Sequence, residues 1–225
     1  MNSFKFLDNN KKYEDLLDTK DIFLTSDLHF FKNLENEIYN EKYVEEYYKC
    51  IKNINKYIKK NDILLILGDL LFKHLDINNI NHLNYIKKSI ELYKSINCRK
   101  ILIRGNHDIT INDDIFYKMG FEYISNYLIA KNKNIIFTHV PHDNEKDKYF
   151  NIHGHIHGSK CYYGMNAVNH FDVYYKLWNK PLKISEVLEY YMKGLYTATE
   201  DLNKKSDESQ FFDKNYNYIR ETLND

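Results

Sequence analysis

Along the first 105 residues, short runs of consecutive apolar residues alternate with longer stretches in which apolar residues recur every three or four positions. Ile22, Phe23 and Leu24, within Asp21–Ser26, have the continuity of a buried strand. Glu41–Lys60 then sets Val44, Tyr47, Ile51, Ile54 and Ile58 along one helical face. Asp62–Leu67 is a second continuous run, and Asn79–Ile96 a second amphipathic helix with Ile80, Leu83, Ile86, Ile90 and Tyr93 on one side. Lys100–Ile103 is a third strand. A β-α-β-α-β order predicts parallel strands joined by right-handed helical crossovers.

The rhythm changes after a short helical stretch at Asp113–Lys118. Phe121–Ile124, Tyr127–Ala130, Asn134–Thr138, Phe150–Ile152 and Val168–Tyr174 are all strand-like and closely spaced. That spacing favours a second, mixed or antiparallel sheet packed on the first. Ile184–Tyr191 reads as a helix. Residues 204–225 read as a polar tail with a sparse apolar face, either a peripheral helix or partly disordered. The pattern therefore predicts a single α/β domain over residues 1–203, without repeats or linkers.

Composition narrows the class. A chain of 225 residues can bury roughly 70% of its unfolded surface, enough for one sizeable core. Aromatic residues at 16% and only nine Gly and Pro residues exclude a disordered or low-complexity chain. The longest unbroken apolar run is five residues, Ile63–Leu67, too short to span a bilayer. Met1–Asp8 lacks an apolar signal core, and Cys50, Cys98 and Cys161 are odd in number and far apart, so a cytoplasmic protein with reduced thiols is expected. The 32 basic and 32 acidic residues cancel, leaving no strong nucleic-acid-binding signal. Abundant Lys, Asn, Ile and Tyr follow from A/T-rich codons and say little about ligands. The ten histidines are not explained that way.

Their positions are the main clue. Asp27-Leu28-His29 follows the first apolar strand, Gly68-Asp69 the second, and Arg104-Gly105-Asn106-His107-Asp108 the third. Thr138-His139 follows Ile135–Phe137, and His153-Gly154-His155-Ile156-His157 follows Phe150–Ile152. Ligands of α/β sheets bind beyond the carboxyl ends of the strands, so all five clusters can meet in one crevice. One Asp at a strand end is ordinarily a turn or cap residue; five such clusters in order are not so easily dismissed. The donors are carboxylate, amide and imidazole without thiolate, a set suited to Mn²⁺, Fe, Zn²⁺ or Ni²⁺. They exceed what one ion needs, and a carboxylate such as Asp69 can bridge two ions. Gly68, Gly105 and Gly154 suit the tight turns that crowding of loops requires.

The ordered set D-x-H, G-D, G-N-H-D, H and G-H-x-H, running from Asp27 to His157, resembles the calcineurin-like metallophosphoesterase superfamily, and within it the compact bacterial and phage-type members. The resemblance implies two packed mixed β-sheets flanked by helices. It implies two divalent transition-metal ions, Mn²⁺ favoured with Fe, Ni or Zn open. It puts Asp27, His29 and His157 on one ion, Asn106, His139 and His155 on the other, and Asp69 between them. His107 then faces the phosphoryl group, protonating the leaving oxygen or stabilising charge, while a metal-bridging hydroxide attacks in line. Asp108 either orients His107 or a ligand, or caps the next segment. Arg104 is a candidate substrate contact, as is Asn106 beside its ligand role; an ion pair at the surface is the alternative for Arg104. His153 and His142 are read as structural or rim residues, His74 as a possible cleft residue, and His82 and His170 as surface or packing residues.

Departures refine the expectation. Gly68-Asp69 continues as Leu70-Leu71-Phe72-Lys73, so the Asp and Arg of the protein-phosphatase branch are missing, and the third motif ends in Asp108. The function implied is a phosphoesterase acting on a phosphodiester or small nucleotide-like substrate. A phosphomonoesterase or nucleotide pyrophosphohydrolase on the same centre is the alternative. A non-catalytic binding scaffold, as in a retromer subunit of this superfamily, is disfavoured because such scaffolds lose ligands and none is missing here.

Overall fold

A computed structural model describes residues 11–18, 20–31, 41–71, 80–141, 149–158 and 170–192. The elements are α1 (11–18), β1 (Phe23–Thr25), α2 (Glu41–Tyr57), β2 (Ile63–Leu67), α3 (Ile80–Lys94), β3 (Arg99–Ile103), α4 (Asp113–Lys118), β4 (Phe121–Ser125), β5 (Tyr127–Ala130), β6 (Ile135–Thr138), β7 (Phe150–His153), β8 (His170–Asp172), α5 (Tyr175–Trp178), β9 (Leu182–Lys183) and α6 (Ile184–Met192).

Two mixed sheets result. The first runs β4-β3-β2-β1-β9, with β1 to β4 parallel and β9 antiparallel to β1. The second runs β5-β6-β7-β8, with β5 antiparallel to β6 and the rest parallel. All five residues of β2 are buried, as a parallel strand covered on both faces must be. Side-chain alternation divides the interior in two. Phe23, Leu64, Ile66 and Leu102 face α2 and α3, where they meet Ile51, Ile54, Leu92 and Tyr93. Leu24, Leu65, Leu67, Ile101 and Ile103 face the other way, against Leu128, Ile135, Phe137, Ile152 and Phe171 of the second sheet.

The expected parallel core and its crossover helices are present, as are two packed mixed sheets. One assignment changes. Phe121–Ile124, expected with the later strands, belongs to the first sheet as β4, because α4 acts as one more crossover returning the chain parallel to β3. The helix over 11–18 was not anticipated; Tyr13 stacks on Tyr123 at 4.1 Å and Leu17 is buried. Nor were α5 and the two-residue β9. The polar tail of residues 204–225 lies outside the described residues.

What matters for function is that β1, β2 and β3, and separately β6 and β7, end at one common edge. A parallel bridge between Ser26 and Tyr174 ties the end of β1 to the segment after β8, and so joins the two sheets there. Asp27 N–H donates to Gly68 O and His29 N–H to Asp69 O, each at 3.0 Å, lacing the first two loops together.

Candidate metal centre

The local backbone at this edge is unusual. Eight non-glycine residues among those described have positive φ, and five of them are candidate ligands: Asp27 (52°), His29 (45°), Asp69 (53°), His155 (71°) and His157 (53°). A left-handed residue other than glycine costs roughly 1–3 kcal/mol and persists where its surroundings hold it; such sites cluster at functional centres. Backbone crowding completes the cradle. A Cβ on Gly105 would overlap the carboxylate and amide of Asp69, and one on Gly154 would overlap the Asp27 carboxylate and Ser26. Gly105→Ala is therefore expected to cost about 1–3 kcal/mol through overpacking. At this chain length that is a fall in Tm of roughly 3–10 °C, read by thermal unfolding.

The side chains converge in two groups. In one, Asp27 Oδ1 lies 3.7 Å from His29 Nε2 and 3.2 Å from His157 Nε2, and the two imidazole nitrogens stand 2.9 Å apart. In the other, His139 Nε2 lies 2.9 Å from Asn106 Oδ1, 3.1 Å from His155 Nδ1 and 3.4 Å from Asp69 Oδ1. Asp69 stands between them, since its Oδ2 is 3.7 Å from His29 Nε2. Donor atoms about 2.1 Å from one ion at 90–109° are themselves roughly 3.0–3.4 Å apart, which is close to the spacing in both groups. The residues present therefore fit a pair of divalent cations. A further trio, His29, Asp69 and His107, also converges within 4.8 Å.

The electrostatics agree. Burial opposes ionisation of Asp27, yet His157 and His139 hold its carboxyl below the usual range. Burial likewise opposes Asp69, and is outweighed by His139, the His107 N–H and His29. The ion-pair partners of these two buried carboxylates, among the described residues, are all imidazoles. Burial pushes His29 down to about 4 despite Asp27 and Asp69, and lowers His155 with help from His139. His139 differs: burial would lower it, but Asp69 and Asp27 raise it to about 9. Two buried anions, beside His29 and His155 rings that burial holds toward the neutral form, suit added positive charge.

The remaining candidates take definite places. His107 is partly exposed, its ring edge-on to His29 at 5.3 Å and its Nε2 3.8 Å from Asp69 Oδ2. Asp108 is fully buried beneath the Asp69 loop. Its carboxylate accepts from the backbone N–H of Asp69 (2.8 Å), Gly105 (2.9 Å) and Leu70 (3.1 Å). Burial pushes its carboxyl up to about 7, opposed by the Gly105 and Leu70 N–H groups and reinforced by the Asp69 charge. Arg104 does not reach either donor group through a hydrogen bond or ion pair. It pairs with Asp113, donates to Asp108 O and Ile111 O, and lies over Phe116. His153 is buried against His170, and His82 is half-buried. His74, His142 and Cys161 lie outside the described residues. Cys50 and Cys98 are free thiols that burial pushes up to about 11.

Sequence reasoning missed Asp172 and Tyr174. The buried Asp172 carboxylate accepts from Gly158 N–H and Tyr174 N–H, both at 2.8 Å, and Tyr174 stacks on His157 at 4.6 Å. Together they fix the His157 loop. A lone Asp in Phe-Asp-Val offered no signal for this.

No helix among the described residues is long and apolar enough to cross a membrane. An uncharacterized protein of Methanocaldococcus jannaschii is 37% identical over 90 residues, covering 39% of this chain and 46% of that protein, so the match spans under half the length of that relative. Among solved structures, a protein of unknown function from Aquifex aeolicus is similar at TM-score 0.48 and 22% identity, over 75% of this chain and 98% of that one. A Pseudomonas putida nuclease is similar at TM-score 0.43 and 20% identity, over 63% of this chain and 64% of its own. The family model for calcineurin-like phosphoesterases matches residues 20–211, from just before β1 to beyond α6, so that both sheets and all five loops fall within it; the chain belongs to the calcineurin-like phosphoesterase family.

Proposed function

We propose that the protein is a two-metal phosphoesterase that hydrolyses a phosphodiester or a small nucleotide-like substrate. The observation that carries this reading is the pair of converging donor groups with Asp69 between them and His107 beside them. Asp27, His29 and His157 would hold one ion, Asn106, His139 and His155 the other, and Asp69 would serve both. When bound, the two ions would neutralise phosphate oxygens and lower the pKa of a water molecule. Without thiolate ligands, the donor set suits Mn²⁺, with Fe, Ni²⁺ or Zn²⁺ as alternatives.

The chain's own residues do the positioning. His139 Nδ1–H donates to Leu67 O at 2.8 Å, which aims Nε2 at the second group. Asp108 acts through Asp69, whose loop it holds by backbone N–H groups, and is a positioning residue. His107 projects from the same turn, and its partly exposed ring can pass a proton to a leaving oxygen or stabilise charge on the phosphoryl group. The protein, purified and loaded with Mn²⁺, is expected to bind about two ions per chain by elemental analysis, and EDTA should abolish its hydrolysis of bis(4-nitrophenyl) phosphate. Binding of one ion at saturation, or activity that survives EDTA, would overturn the reading.

Arg104 favours the diester. A phosphomonoester carries an additional negative charge, and the arginine nearest the motifs already has its guanidinium committed to Asp113 and two carbonyls. A higher kcat/KM for bis(4-nitrophenyl) phosphate than for 4-nitrophenyl phosphate is therefore expected with the same metal in steady-state assays. The opposite preference would favour a phosphomonoesterase or nucleotide pyrophosphohydrolase.

A further inference from the structure

A cavity of about 560 Å³ opens off the second donor group, with Asn106 and His139 forming part of its wall. That volume lies within the range of small-ligand sites, roughly 300–1,000 Å³. The rest of the wall is largely apolar: Ile109 after β3, Tyr127 on β5, Ile136 on β6, and Val140 and Pro141 beyond β6. Three of the seven large apolar side chains exposed among the described residues line it, namely Ile109 (68%), Tyr127 (49%) and Val140 (38%). Exposed apolar side chains gathered in one concavity beside a polar centre mark a binding surface rather than chance. Among the described residues of the wall, apart from His139 in the donor group itself, the charged side chain is Arg104, whose guanidinium is occupied by Asp113, Asp108 O and Ile111 O.

From this juxtaposition we infer that the cavity is the subsite for the non-leaving organic arm of the phosphate ester, and that it takes a flat, uncharged ring, a nucleobase. The inference rests on the phosphoesterase reading and adds the group that reading leaves unnamed. Among the described residues of the wall, an anionic arm would find Arg104 already paired and His139 engaged with Asn106 and Asp69. A plain alkyl arm would leave idle both the Tyr127 ring, which can stack on any base, and the Asn126 amide on the wall, which can donate and accept at a base edge. A base held here places its phosphate near Asn106 and His139.

Two diesters with one leaving group test this: the 4-nitrophenyl ester of thymidine 5′-monophosphate, and ethyl 4-nitrophenyl phosphate. In both, water adds to phosphorus and nitrophenolate departs with the electron pair of the broken P–O bond. With the full Mn²⁺-loaded chain, kcat/KM should be about tenfold or more higher for the thymidine ester, the order that one base stacked on an aromatic ring supports. Tyr127→Ala and, independently, Ile109→Ser should bring that ratio toward one. Tyr117→Ala, which removes an exposed tyrosine of α4 outside the cavity wall, should leave the ratio and the ethyl-ester rate unchanged. Quenching of 2-aminopurine riboside fluorescence by the full chain adds a readout that needs no turnover, and Tyr127→Ala should weaken it. Hydrolysis of both esters at a ratio near one, or a high ratio that neither Tyr127→Ala nor Ile109→Ser lowers, would overturn the subsite and leave the phosphoesterase reading standing. Riboside quenching that depends on Tyr127, with no hydrolysis of either ester under any of the four metals, would instead overturn the phosphoesterase reading and keep the nucleobase pocket.

Discussion

Asp69→Ala is expected to weaken both metal sites together and to lower hydrolysis by roughly 10³-fold. The reason is placement. Asp69 Oδ1 faces His139 at 3.4 Å while Oδ2 faces His29 at 3.7 Å, so one carboxylate serves two donor groups that otherwise share no residue. Removing it takes a negative charge from both sites and several kcal/mol of transition-state charge stabilisation with them, and each 1.36 kcal/mol is tenfold in rate. It also frees the backbone N–H of His107, which donates to Oδ1 at 3.0 Å, so the third loop should loosen. His155→Ala, by contrast, touches only the second group and should spare the first ion. Elemental analysis and calorimetric metal titration of the two variants separate the cases. Full occupancy of two ions in Asp69→Ala would sink the shared-ligand assignment.

How much of this was legible beforehand depended on the range of each interaction. The parallel core was readable because β2 and β3 are buried on both faces, which writes Ile63–Leu67 and Ile101–Ile103 as continuous apolar runs. The five polar clusters were readable because a strand end is a local feature, and parallel strands bring their ends to one edge without further information. Sheet membership of β4 was not: Phe121–Ser125 has the same local character as β5, and only its pairing with β3 across α4 decides which sheet it joins. The helix over 11–18 was hidden because its docking depends on Tyr13 meeting Tyr123, more than a hundred positions away. Asp172 escaped for the same reason. Its function consists of two backbone donors, one contributed by Gly158 through a fold-level contact. Arg104 could be seen to lie beside a motif, but its tie to Asp113 depends on how α4 packs against the loop. The cavity beside His139 was invisible altogether, being assembled from β5, β6 and the loop after β3.

His107→Ala should separate chemistry from metal binding. His107 is partly exposed; its backbone N–H donates to Asp69 Oδ1 at 3.0 Å, while its ring stands 3.8 Å from Asp69 Oδ2, an ion-pair distance that is long for a hydrogen bond. Truncating it should leave the fold and both ions in place while kcat falls roughly 10²–10⁴-fold, the usual contribution of a positioned general acid. The size of the loss should depend on the leaving group. Nitrophenolate departs with little need of a proton, whereas an alkoxide such as a nucleoside 3′-oxygen needs one, so the variant should retain far more of its activity toward nitrophenyl esters than toward a dinucleotide. A loss equal for both would assign the ring to stabilising charge on the phosphoryl oxygens, a role indifferent to what departs. A loss of bound metal in His107→Ala would instead place the ring among the ligands, as the convergence of His29, Asp69 and His107 allows. Metal content, kcat on the two substrate types, and thermal unfolding of the same preparation distinguish the three outcomes.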